Sequence, residues 1–149
     1  MHEYTASIRW TCEGDFARGR YSRAHDWAFD GGAVVRASAS PLTVPHPYSD
    51  ASAIDPEEAF VAAVASCHML WFLDLARQAG LQATSYRDAA VGRMEGAPHP
   101  WISRVDLHPE IAWTGTAPEP GKTRELHHAT HGRCFIASSI KSNVVVHLP

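Results

Sequence analysis

The chain has 149 residues, about the length of one domain, with 45% hydrophobic and 19% charged residues and a formal net charge of −3. This balance excludes a disordered chain, and without a basic excess there is no electrostatic footprint for nucleic acid. Met1–Trp10 holds no apolar run, so no secretory signal is expected. The most apolar stretch, 59–73, is interrupted by Ser66 and His68 and reads as too short to cross a bilayer. The expectation is a soluble, cytoplasmic protein, 1–149 forming a single domain.

Tyr4, Ala6, Ile8 and Trp10 alternate with polar residues, a period of two that predicts a half-buried strand. Glu13-Gly14-Asp15 supplies a turn, a second strand is expected over 18–29, and a third follows Gly31-Gly32 with Val35, Ala37 and Ala39 on one face. The proline-rich 41–55 reads as a loop. The clearest element starts at Asp55, a candidate N-cap, with Pro56 at the first helical position and Glu58 completing a capping box. Phe60, Val64, Cys67 and Trp71 recur at helical spacing, and Gly80 stands where the helix would stop. This helix is apolar on nearly every side, which calls for burial in a core or against a partner chain.

Two long strands, 84–95 and 101–113, are expected next, the second broken or placed at an edge by Pro109. A short helix over 122–133 and a β-branched strand over 143–148 close the pattern. Strands, a long helix, more strands, a helix and a strand predict an α+β fold.

The chemistry-bearing residues are few. Three cysteines (Cys12, Cys67, Cys134) suit a disulfide framework poorly in a reducing compartment, which leaves reactive, metal-binding or merely buried thiols. By position alone, Cys67 on an apolar helix is as readily a packing residue as a nucleophile. A reactive thiol needs a nearby cation, and His68 points about 100° away from it. His127, His131 and Cys134 at i, i+4 and i+7 could together present two imidazoles and a thiolate to zinc, or could simply belong to a solvated face.

The segment Asp55-Pro56-Glu57-Glu58, followed by the small-residue run to Cys67, resembles the OsmC/Ohr family of thiol peroxidases. In that family the central helix opens with Asn/Asp-Pro-Glu and leads to a cysteine, and a second cysteine lies far downstream, where Cys134 fits. Glu13–Arg20 resembles the family's N-terminal glycine-plus-basic segment. The family often carries Cys-Pro at the second cysteine; this chain has Cys134-Phe135.

The resemblance implies antiparallel sheets around a long central helix and an intertwined homodimer. It further implies reduction of organic hydroperoxides by a peroxidatic Cys67 and a resolving Cys134. An arginine, Arg18 in preference to Arg20, would stabilise the thiolate, and Glu57 would hold that arginine. No cofactor or metal is implied, and a dithiol, such as a protein-bound lipoyl group, would restore the thiols. Glu57 and Cys67 are ten residues apart on one helix, roughly 15 Å at 1.5 Å per residue. A glutamate from the other subunit is therefore expected to serve each cysteine. The alternatives are a non-catalytic small-molecule binder of the same fold and a metal-binding protein using His127, His131 and Cys134.

Overall fold

Strand β1 (Ala6–Arg9) forms where the first alternation predicts it in the computed structural model, which describes residues 1–148. Beyond it, β2 (Gly14–Asp15) and β3 (Arg20–Tyr21) make a small antiparallel ribbon. The single strand expected over 18–29 is split, because Ser22 Oγ accepts the Ala24 N–H at 3.2 Å and draws the backbone into a local turn. Pairing resumes in β4 (His25–Phe29), which lies between β1 and β5 (Val34–Ala37) in an antiparallel sheet. Ile8 faces Trp27, and Trp27 faces Val35. Residues 38–55 form the expected loop, joined to β5 by a bridge between Ala37 and Ile54.

Helix α1 (Pro56–Gln78) begins with the capping box read from the sequence. The Glu58 N–H donates to Asp55 Oδ1 at 2.8 Å, and the Asp55 N–H donates to Glu58 Oε2 at 3.1 Å. It ends at Gly80, whose φ of 75° suits the left-handed turn that lets the Leu81 N–H reach the Ala76 carbonyl at 3.0 Å. The helix is longer than the 59–73 stretch suggests. At 23 residues, with an 18-residue window of mean hydropathy 1.7, it has the length and composition of a membrane span. Its buried residues, Val64, His68, Phe72, Leu75 and Ala76, are used by the protein core instead. That stripe lies one residue round from the predicted Cys67–Trp71 line, because the imidazole of His68 finds a buried partner and can be carried inward.

The chain divides into two compact units, Met1–Ala59 and Phe60–Pro149. In the second, the two long strands expected from the sequence each break midway. The first gives β6 (Ala83–Asp88) and β7 (Val91–Glu95), the second β8 (Trp101–Leu107) and β9 (Pro109–Trp113). At the joint, Asp88 Oδ1 accepts the His108 N–H at 2.7 Å, and Pro109, which has no N–H to give, opens β9. The halves therefore pair separately, β6 with β9 and β7 with β8. After α2 (Pro120–His131) and α3 (Phe135–Ser138), β10 (Asn143–Val146) joins the other edge of β8 in the one parallel pairing of the described strands.

Two apolar clusters hold this unit. Phe72, Leu75, Ala76 and Leu126 pack with Tyr86, Ile111 and Trp113. Val64, Val105 and Leu107 pack with Ile102, Ile136, Val144 and Val146. Gly92 lets β7 approach α1, since a Cβ there would stand 2.5 Å from a Val61 methyl carbon. On β8, the buried Asp106 is clamped by Arg93 Nε at 2.8 Å, Arg104 Nε at 2.7 Å and His147 Nε2 at 2.7 Å. Arg104 first, then His147 and Arg93, hold its carboxyl well below the usual carboxylate range.

Candidate active site

Cys67 stands half-buried in the middle of α1. Cys134 reaches it from the far side of a break in the chain. Helix α2 stops at His131, and after Gly132 and Arg133 the Cys134 N–H donates to the Thr130 carbonyl at 3.0 Å. Cys134 then caps α3, its Sγ accepting the Ala137 N–H at 3.4 Å. Both thiols are free, and Cys134, only 1% exposed, has Cys67 as a neighbour. Burial pushes the Cys134 thiol up to about 11, and the neighbouring Cys67 adds to the rise. The edge contact of Trp71 with Phe135, at 5.3 Å between rings, flanks the pair with aromatic surface.

The next residue on α1 faces elsewhere. His68 Nε2 and His127 Nδ1 are 2.9 Å apart, their rings nearly parallel, and His127 stacks on Phe72 at 4.1 Å. Burial lowers both imidazoles to about 4, and the charge of His127 would oppose that of His68 further. The zinc face expected from His127, His131 and Cys134 does not form. Cys134 lies beyond the end of α2, His131 is exposed, and His127 is turned inward to His68. Among the described residues no group of three or more His, Cys, Asp and Glu side chains is arranged to hold a metal ion.

The remaining candidates belong to the Met1–Ala59 unit. The Arg18 side chain is 74% exposed, and its Nε lies 3.6 Å from Asp15 Oδ2. Arg20 is an exposed residue of β3, and Glu57 stands half-buried in the first turn of α1. Cys12 is exposed, with its sulfur 3.8 Å from the Gly14 carbonyl.

The sequence reading missed Arg23. Its guanidinium donates to the Gly19 carbonyl at 3.0 Å and the Tyr21 carbonyl at 2.5 Å, and lies 3.6 Å above the Tyr21 ring. With Trp10, Phe16, Tyr21 and His25 it lines a cavity of about 400 Å³. A cation against an aromatic wall is a ready anchor for a polar group on an apolar molecule. Trp10, Phe16 and Tyr21 around a basic segment were the signal for it.

The pattern of the family described as OsmC-like protein matches residues 49–148. No curated protein matches the chain. Among solved structures, an OsmC-like protein of unknown function from Vibrio cholerae is 41% identical over 100% of both chains, with a TM-score of 0.95. An organic hydroperoxide resistance protein OsmC from Legionella pneumophila shares the fold at 19% identity, with a TM-score of 0.68 over 99% of this chain and 97% of that one. An organic hydroperoxide resistance protein from Elizabethkingia anophelis does so at 16% identity and 0.68, over 99% and 95%.

Proposed function

Since the chain belongs to the OsmC-like protein family, we propose that it is a cysteine-based peroxidase that reduces organic hydroperoxides in the cytoplasm. Cys67 is the peroxidatic residue and Cys134 the resolving one. The observation that carries this reading is the proximity of two free thiols, Cys67 in the middle of α1 and Cys134 at the start of α3. Their environments support unequal roles. Cys134 is buried with a thiol pushed up to about 11, so at neutral pH it keeps its proton and does not compete for peroxide. Cys67 is the more accessible of the two.

The reaction balances in three steps. The Cys67 thiolate attacks the distal oxygen of ROOH, the O–O bond breaks, and the departing alkoxide takes a proton to leave as ROH. Cys67 is now a sulfenic acid. The Cys134 sulfur then attacks the Cys67 sulfur, its proton leaves with the hydroxyl as water, and a disulfide forms. A dithiol, with a protein-bound lipoyl group as the candidate, reduces that disulfide and becomes a disulfide itself. Arg18 stabilises the thiolate with Glu57 orienting it, and Arg23 is a second candidate for the cation.

A homodimer completes the reading. Leu70 on α1 is 62% exposed and Phe135 67% exposed, and Ala62, Ala63 and Ser66 are exposed on the same helix. Such surface on a long apolar helix suits a second copy of the chain. The deciding assay measures consumption of cumene hydroperoxide and hydrogen peroxide with dithiothreitol as reductant. The expected result is turnover with preference for the organic peroxide, and a Cys67–Cys134 disulfide peptide by mass spectrometry after one equivalent. Peroxide loss no faster than in buffer would leave a non-catalytic binder of this fold.

A further inference from the structure

We propose that a second cavity, between β9 and α2, is a binding site for a small uncharged alcohol or phenol whose hydroxyl bonds to His127. The cavity measures about 210 Å³. Two sequence periodicities converge on it. Ile111 and Trp113 alternate onto one face of β9, while Pro120, Thr123, Arg124 and His127, at i, i+3, i+4 and i+7, form one face of α2. The walls join apolar side chains to the polar groups of Thr123, Arg124 and His127, and the volume falls below the ~300 Å³ at which drug-sized sites begin. A single-ring molecule fits such a space.

The polar end of the site is His127. It is 3% exposed, its Nδ1 is occupied by His68, and its Nε2 is buried with no hydrogen-bond partner. Tyr86 Oη and Asp88 Oδ2 are also buried without partners. In the β6–β9 register Tyr86 sits opposite Ile111 and Asp88 opposite Pro109, on the strand next to the one that lines the cavity. Buried polar groups are almost always satisfied in folded proteins, so the unpartnered His127 Nε2 on the cavity wall points to a molecule that satisfies it.

The chemistry of the pair selects a hydroxyl. Both histidines remain neutral near pH 7, so one proton is shared between His68 Nε2 and His127 Nδ1. When His127 Nδ1 donates, its Nε2 accepts; when His68 donates, His127 Nε2–H donates. A hydroxyl can answer either tautomer, whereas a carboxylate can only accept. Arg124 is exposed to solvent and supplies no buried positive charge.

The test is NMR titration of the full-length, isotope-labelled protein with p-cresol, and with toluene as the same ring without its hydroxyl. Saturable shifts of the His127 ring and the Trp113 indole N–H are expected with p-cresol. Toluene should bind about three- to tenfold more weakly, the worth of one hydrogen bond. Thr123→Trp, which fills the cavity and leaves both histidines in place, should abolish the shifts; Thr123→Phe serves if that variant does not fold. Shifts that grow linearly with p-cresol, that persist when Thr123 is enlarged, or that toluene reproduces at equal concentration would overturn the proposal.

Discussion

Cys67 and His68 are neighbours on α1, and Cys134 and His127 lie seven residues apart along the segment that packs against it. Each helix residue meets its own kind, thiol to thiol and imidazole to imidazole, yet the two pairs are built for opposite ends. The thiols are free and one of them is accessible, so the contact can become a bond. The imidazoles are sealed, stacked and neutral, and their contact can only be kept or lost. A turn of about 100° per residue is enough to separate a thiol-bearing face of a helix from its packing face.

The sharpest way to break this contrast is to exchange the fates of the two neighbours. Cys67→Ser should reduce peroxide turnover to the uncatalysed background while leaving the unfolding midpoint unchanged, because the substitution is close to isosteric. Turnover retained in that variant would remove Cys67 from the reaction. Cys134→Ser should still consume one equivalent of peroxide and stop, with Cys67 trapped as sulfenic acid by a dimedone-type reagent. Failure to trap it would shift resolution to another thiol.

The histidines should answer through stability instead. The unfolded chain takes up protons near pH 6.5 that the folded pair refuses until about 4, so stability is full above 6.5 and declines as the pH falls through that interval. The loss between pH 6.5 and 5 is about 1.5 kcal/mol for each histidine, read by urea titration. His68→Leu leaves the buried His127 Nδ1 unpaired and should cost about 1–3 kcal/mol, while the thiol reaction persists. The double variant with His127→Leu should cost less than the sum of the two single changes, as expected of partners.

Smaller effects lie in the Met1–Ala59 unit. Arg18→Ala should slow alkylation of Cys67 near neutral pH, and an equal rate in that variant alongside a slower one in Arg23→Ala would reassign the cation. Asp55→Ala removes half of the capping box and should lower stability by about 1 kcal/mol in thermal or urea unfolding.

What could be read in advance divides along the same lines. The start and stop of α1 were legible because Asp55, Pro56, Glu58 and Gly80 act through their own backbone neighbours. The breaks at Ser22–Ala24 and at His108 were not, since each depends on a single hydrogen bond whose partner alternation does not reveal. His68 looked like an interruption in an apolar run because its partner lies 59 positions away. Arg23 was overlooked for a similar reason. Its aromatic wall is gathered from β3, the ribbon turn and the end of the first strand segment, so Trp10, Phe16 and Tyr21 signal it only when taken together.

The parallel pairing of β10 with β8 carries a consequence for how the molecule assembles. Residues 143–146 meet 104–107 only after the chain has looped back through α2 and α3, and parallel strands always demand such a detour. That detour is the segment bearing both His127 and Cys134. Its far end is moored by Val144 and Val146 in the apolar cluster and by the Ser142 hydroxyl on the Ile102 carbonyl at 2.5 Å. Contacts so distant in sequence close slowly. Both partners of α1 therefore lie on a detour that this pairing holds at its far end, and a chain stopped short of Asn143 would present Cys67 and His68 to a loop with only one end tied.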